Sequence, residues 1–280
     1  MGEYALALGF VILAWWASTA AVMWLAWQAR SAQRLSLGTV GVLAVGAAAL
    51  AFFVRFSPTA GAAYLGFAAA LVLWGWHELA FLLGVVTGPR REPCPPDAVG
   101  GRRFRLATAT VIHHELALAA TLVLLAALSW GAPNAVAFWT FAGLWALRLS
   151  AKLNLFFGVA HVSDELVPPH LRYLTSYFRR RPGVSPWLLL ALLATVAVSV
   201  VLTVAATGAE PGYPATALSL LAALALLGVL EHLFLAFPMQ DARLWRWVLE
   251  GISARQGRAH ELPVPAFAGG DDRTNGGDDG

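Results

Sequence analysis

The chain has 280 residues, of which 59% are apolar and 12% charged. Because a soluble globular domain carries about 25% charged residues, this composition excludes an ordinary water-soluble fold. The formal charge of +3 comes from arginines gathered between apolar runs. That distribution fits a surface that meets anionic lipid head groups, and it argues against a nucleic-acid-binding protein.

Seven long apolar runs follow one another along the sequence. Each approaches the roughly 20 residues that a helix needs to cross a hydrocarbon core of about 30 Å. The prolines lie outside these runs, which suits unbroken helices whose backbone groups bond internally in lipid. We therefore predict an all-α, polytopic membrane helix bundle with seven transmembrane helices, at residues 4–28, 37–54, 60–86, 106–130, 134–157, 187–207 and 215–237.

The positive charges indicate how the helices are oriented. Of the 19 Lys and Arg residues, sixteen fall after the first, third, fifth and seventh predicted spans. Short loops rich in Lys and Arg remain cytoplasmic. The sequence therefore predicts that the N-terminus lies outside the cytoplasm and the C-terminus inside.

The chain divides into a membrane domain at 1–250 and a tail at 251–280, which is rich in Gly and Asp and which we predict to be disordered. Two loops on the predicted cytoplasmic side are long. The first, at 88–105, is rich in Arg, Pro and Gly and should be irregular. In the second, Leu171, Leu174 and Phe178 recur at helical spacing, which predicts a short amphipathic helix on the membrane surface.

Ionisable residues inside four of the spans are the strongest functional signal. Counted at 1.5 Å per residue, they share a level roughly 8 to 14 Å below the cytoplasmic surface. A charge at that depth is costly, so such groups generally pair or line a polar cavity inside the bundle. We predict a buried polar layer with histidines beside it. The layer comprises Glu78, Glu115, Arg148 and Glu231, and the histidines are His77, His113, His114 and His232.

Three interpretations of this layer remain open on the sequence alone. The first is structural: Glu78 and Glu115 pair with Arg148 and fix the helix register. In the second, the histidines bind a metal ion or the magnesium of a chlorin. The third is a catalytic site, although the Glu-x-x-His pairs of membrane di-iron proteins do not occur here. Adjacent helical residues diverge by about 100°, so His113 and Glu115 cannot both point the same way.

Several segments together identify a family resemblance. They are WWAST (15–19), WGWHELAFLLGVVTGPRREPCP (74–95), HHELAL (113–118), APNAVAFWTF with LWALRLSAKLNLFFGV (132–159), PPHLRYLTSYFRRRP (168–182) and LEHLFLAFPMQDARLWRW (230–247). In this order, over about residues 1–250, they resemble the PuhE family of photosynthetic complex assembly proteins. The tail has no counterpart in that resemblance.

The resemblance implies a multi-pass protein of a bacterial inner or intracytoplasmic membrane. It implies a role in assembling the reaction centre and core light-harvesting complex, with their subunits as partners and bacteriochlorophyll or a precursor as a tetrapyrrole ligand. It brings no catalytic mechanism. The alternative from the residues is a metal-dependent membrane oxidoreductase acting on a tetrapyrrole or isoprenoid pigment, with iron held by His77, His113, His114, His232 and a carboxylate.

Overall fold

The computed structural model describes residues 2–28, 30–162, 164 and 167–237. Within these residues the chain forms seven α-helices and one long 3₁₀ helix, Pro169–Tyr177, with no β-strand. The α-helices in chain order are α1 (Gly2–Ala26), α2 (Arg30–Val54), α3 (Ala60–Leu82), α4 (Gly100–Ser129), α5 (Val136–Phe157), α6 (Pro186–Gly208) and α7 (Tyr213–Ala236).

The prediction of an all-helical membrane protein is confirmed. In the described part of the chain, six helices are long and apolar enough to cross a membrane, and these are α1, α2, α3, α4, α6 and α7. The helix α5 is less apolar because it carries Arg148 and Lys152. The predicted tail at 251–280, with residues 238–250 before it, lies outside the described residues.

Two helices extend beyond the apolar runs that predicted them. The helix α2 begins at Arg30 instead of residue 37, and α4 begins at Gly100 instead of residue 106. The first turns of both helices are polar, and a helix continues wherever its backbone bonds are satisfied, inside lipid or at its edge. Hydropathy therefore predicted the apolar length of each helix and missed its polar first turns.

The bundle is built around α3. Of the residues in its apolar window 61% are buried, against 11% in α6, so α3 is central and α6 peripheral. The buried face of α3 is rich in small residues such as Ala63, Gly66 and Ala70. Small side chains let neighbouring backbones approach closely, as in other membrane bundles. They bring α1, α2, α5 and α7 against α3.

The chain that follows α3 runs directly across the backbone of α4. The amide of Arg90 donates to the carbonyl of Ala109, and the amide of His114 donates to the carbonyl of Thr87. Gly88 lies between these two bonds, where an added Cβ atom would stand 2.2 Å from the oxygen of Ala109. Only glycine permits this approach. The crossing therefore fixes the height of His114 relative to α3.

The segment predicted as a short amphipathic helix is a 3₁₀ helix, Pro169–Tyr177. Its buried residues are Leu171, Leu174 and Tyr177, spaced three apart, which is the repeat of a 3₁₀ helix. They face the protein, because Leu171 and Leu174 form one apolar cluster with Phe81 of α3. Phe178 is half-buried against the same cluster. Protein therefore covers the apolar face that the sequence assigned to the membrane surface.

Substituting Gly88 tests the crossing. Gly88→Ala should lower the thermal unfolding midpoint, because the new methyl group must displace backbone, and overpacking costs about 1–3 kcal/mol or more. The matched control is Gly101→Ala in the first turn of α4, where an added Cβ meets nothing within 4 Å. Unfolding followed by the fluorescence of the 12 tryptophans would measure both variants. Equal midpoints for the two variants would contradict the close approach.

Candidate functional site

Ionisable side chains from three helices meet inside the bundle. The helix α3 contributes one carboxylate near its end, α4 contributes an imidazole and a carboxylate, and α5 contributes two cations one helical turn apart. Residues four apart lie on the same face of a helix, so both cations of α5 face α3 and α4. We call this set the polar cluster, and it comprises Glu78, His114, Glu115, Arg148 and Lys152.

Glu78 lies at the centre of the polar cluster. Its Oε2 atom is 3.3 Å from Nη2 of Arg148, and its Oε1 atom is 3.7 Å from Nε2 of His114. Glu78 is 9% exposed and His114 is fully buried. Neither ring nitrogen of His114 has a hydrogen-bond partner among the described residues, and the same holds for Oε1 of Glu78. One carboxylate thus joins α3 to both α4 and α5.

A second ion pair joins α4 to α5. Nζ of Lys152 donates to Oε1 of Glu115 at 2.5 Å, and Nε1 of Trp145 donates to Oε2 of Glu115 at 2.9 Å. Trp145 and Lys152 are seven residues apart on α5 and therefore lie on the same face. Both carboxylate oxygens of Glu115 are satisfied. The sequence-based interpretation that paired both carboxylates with Arg148 is therefore wrong for Glu115.

The predicted residues of α7 lie beside the polar cluster. The imidazole of His232 is fully buried, with Nδ1 2.7 Å from the carbonyl oxygen of Gly228 and Nε2 2.8 Å from Oγ of Ser150. A carbonyl only accepts, so Nδ1 carries a proton, and in the neutral ring Nε2 accepts from Ser150. Glu231 is half-buried and within electrostatic range of Arg148.

The two remaining predicted histidines lie in different surroundings. Nε2 of His77 is 2.8 Å from Oγ1 of Thr121, so His77 joins α3 to α4 about two turns away from His114. His113 is exposed on the outer face of α4 and points away from the polar cluster. The 100° between adjacent helical residues explains why His114 faces inward and His113 outward.

The polar cluster with Glu231 contains three carboxylates, one guanidinium and one ammonium, so one negative charge remains. The ring of His114 lies beside this cluster of carboxylates, with Nε2 3.7 Å from Oε1 of Glu78. The other side of the ring contacts Phe81, with ring centroids 4.6 Å apart.

The arrangement of the histidines bears on the two ligands considered from the sequence. Among the described residues, no three His, Cys, Asp or Glu side chains lie close enough to hold a metal ion, so the proposed iron ligands are not gathered. For a chlorin, His232 has both nitrogens engaged and His114 is enclosed by Glu78 and Phe81. His113 is exposed on the outer face of α4, so its imidazole would be accessible to such a ligand.

Sequence reasoning missed the neutral partners in this region, namely Trp145, Thr121 and Ser150. Trp145 and Thr121 lie one and two helical turns from a predicted residue on their own helices, and Ser150 lies two residues from Arg148. Trp145 precedes Arg148 by three residues and Lys152 by seven, and that spacing alone places its indole on the polar face of α5. Thr121 and Ser150 gave no comparable signal, because hydroxyl groups in membrane helices commonly bond to their own backbone.

Comparison with known proteins places the chain in a family. The family described as "Protein of unknown function (DUF3623)" matches residues 1–256. The chain belongs to this family. A relative from Rhodobacter capsulatus, described as an uncharacterized 30.4 kDa protein in the puhA 5′ region, is 37% identical over 261 residues. The match covers 91% of this chain and 93% of that relative. No solved structure matches the chain.

Neighbouring residues of α4 provide a direct test of which face is inside. Glu115→Leu should destabilise the protein by about 1–3 kcal/mol, because the half-buried ammonium of Lys152 and the indole N–H of Trp145 lose their partner. His113→Leu, two residues away on the exposed face, should leave the unfolding midpoint unchanged within about 0.5 kcal/mol. Thermal unfolding in one detergent would compare the two. A larger loss for His113→Leu than for Glu115→Leu would contradict this orientation of α4.

Proposed function

We propose that this chain is an integral membrane assembly factor for the bacterial photosynthetic reaction centre and its core light-harvesting complex. The observation that carries the proposal is the 37% identical relative from the puhA 5′ region, which matches over 93% of its length. That region belongs to a photosynthesis operon. The resemblance of residues 1–250 to photosynthetic complex assembly proteins supports the same role.

The proposal includes seven spans in the inner or intracytoplasmic membrane, with the N-terminus outside and the C-terminus in the cytoplasm. The helix α5 has 22 residues and is therefore about 33 Å long, enough to cross a bilayer core of about 30 Å. Its two cations are paired with Glu78 and Glu115, which lowers the cost of placing them in lipid. The distribution of the arginines supports the orientation.

The outer face of α4 is the surface where a bacteriochlorophyll or a precursor would bind. His113 is exposed there, followed on the same face by Leu116, Ala120 and Val123 at helical spacing. When bound, the chlorin supplies a magnesium ion that accepts an imidazole nitrogen. The role of the chain is to hold His113 outward and to provide an apolar helix face against which the flat ring can lie.

Copurification tests the assembly role. A tagged full-length chain isolated in mild detergent from pigmented membranes should bring with it reaction centre or core light-harvesting subunits, together with a tetrapyrrole visible in the absorption spectrum. An unrelated membrane protein with the same tag is the control for nonspecific recovery. Recovery of the chain with neither subunits nor tetrapyrrole would overturn the proposal.

A substitution at His113 tests the pigment site separately. His113→Leu should lose most of the copurified tetrapyrrole and keep the thermal stability of the original protein, because His113 lies outside the polar cluster. Glu231→Gln, a change beside the polar cluster on α7, is the matched control and should retain the pigment. Full pigment recovery with His113→Leu would refute the site without touching the assembly role.

A further inference from the structure

A cavity of about 320 Å³ lies at the basic end of the bundle, apart from the polar cluster. It forms where the start of α2, the chain that follows α3 and the 3₁₀ helix meet. Its volume is at the lower end of the range for small-ligand sites, about 300–1,000 Å³. The assembly role described above does not use it.

The charged groups that line this cavity are cations. Arg34 and Arg91 both line it, and none of its described lining residues is acidic. Arg34 is exposed and has no ion pair among the described residues. Arg91 donates through Nη2 to the carbonyl of Gly84 at 3.0 Å, which orients its guanidinium. The local field therefore favours an anion.

Two hydroxyl groups in the cavity wall lack partners. Thr87 is 2% exposed, and its Oγ1 atom makes no hydrogen bond with any described residue. The hydroxyl of Tyr173 is also buried without a partner. A buried hydroxyl without a partner is unfavourable, and both of these hydroxyl groups belong to residues that line the cavity, so a bound acceptor beside them would satisfy them. The carbonyl of Thr87 bonds to the amide of His114, which fixes the residue in place.

Apart from the polar side chains of Gln33 and His170, the remaining wall of the cavity is apolar. It includes Leu37 of α2, Leu83 and Val85 after α3, and Leu171 of the 3₁₀ helix. Cations and hydroxyl donors beside an apolar wall suit a molecule with an anionic head and a hydrocarbon chain. A phosphate group combines negative charge with several acceptor oxygens, and arginine matches its geometry.

We propose that this cavity binds the phosphate group of an anionic phospholipid. Arg34 and Arg91 neutralise the phosphate, and the hydroxyl groups of Thr87 and Tyr173 donate hydrogen bonds to its oxygens. The proposal does not depend on the assembly role or on pigment binding.

Native mass spectrometry of the full-length protein tests the proposal, with phosphatidylglycerol compared with zwitterionic phosphatidylcholine. Phosphatidylglycerol should bind more tightly by about tenfold, and Arg34→Gln or Thr87→Val should remove that preference. Arg105→Gln is the control, since Arg105 is an exposed arginine of α4 outside the cavity lining. Equal affinities for the two lipids, or variants that bind like the original protein, would overturn the proposal.

Two further measurements identify the source of the phosphate and exclude a folding defect. If millimolar inorganic phosphate displaces phosphatidylglycerol, the phosphate group alone is recognised. If it does not, recognition also requires the hydrocarbon chain of the lipid. Both results support a phosphate site in the cavity. Without lipid, Thr87→Val should keep the original unfolding midpoint, because the hydroxyl it removes has no partner. A lowered midpoint would assign that hydroxyl a structural role and would overturn the assignment of Thr87.

Discussion

The carboxylate of Glu78 is the constraint on which this bundle depends. It lies between the guanidinium of Arg148 and the imidazole of His114, and so it connects three helices at one level. A charge that deep cannot be left alone, because an unpaired buried ion costs several kcal/mol. The rotation of α3, α4 and α5 about their axes is therefore fixed relative to one another.

This constraint matters most for α4, which has few other attachments. Its buried residues form one narrow stripe, and they are Arg103, Thr110, His114, Leu118 and Leu125. At one end, Arg103 donates to the backbone carbonyls of Tyr177 and Phe156. In the middle, the polar cluster and the crossing at Gly88 hold the helix. The opposite face of α4, with His113, Leu116, Ala120 and Val123, is exposed on the outside of the bundle.

Hydropathy alone predicted the fold class, because backbone satisfaction in lipid permits few structures other than helices. It could not predict the rotation of a helix with apolar residues on all sides. His113 and His114 were therefore equivalent in the sequence, although only His114 faces inward. The same limit explains why the sequence-based interpretation paired Glu115 with Arg148 and not with Lys152, which lies one turn away on the same face of α5.

The remaining differences arise from local backbone geometry. The spacing of Leu171 and Leu174 suits either an α-helix or a 3₁₀ helix, and burial of Tyr177 rather than Phe178 distinguishes them. The crossing at Gly88 gave no sequence signal beyond a glycine in an Arg- and Pro-rich loop. Contacts between segments far apart in sequence depend on how the helices assemble, and local patterns do not contain that information.

The central claim is that Glu78 and Arg148 stabilise the bundle as a pair. A double-mutant cycle with Glu78→Gln, Arg148→Met and the combined variant measures it through the free energy of unfolding in one detergent. Each single variant should be strongly destabilised, and the double variant should lose less unfolding free energy than the two single variants lose together. The difference, which is the coupling energy, should be about 1–3 kcal/mol. Additive losses, with coupling below about 0.5 kcal/mol, would contradict the account.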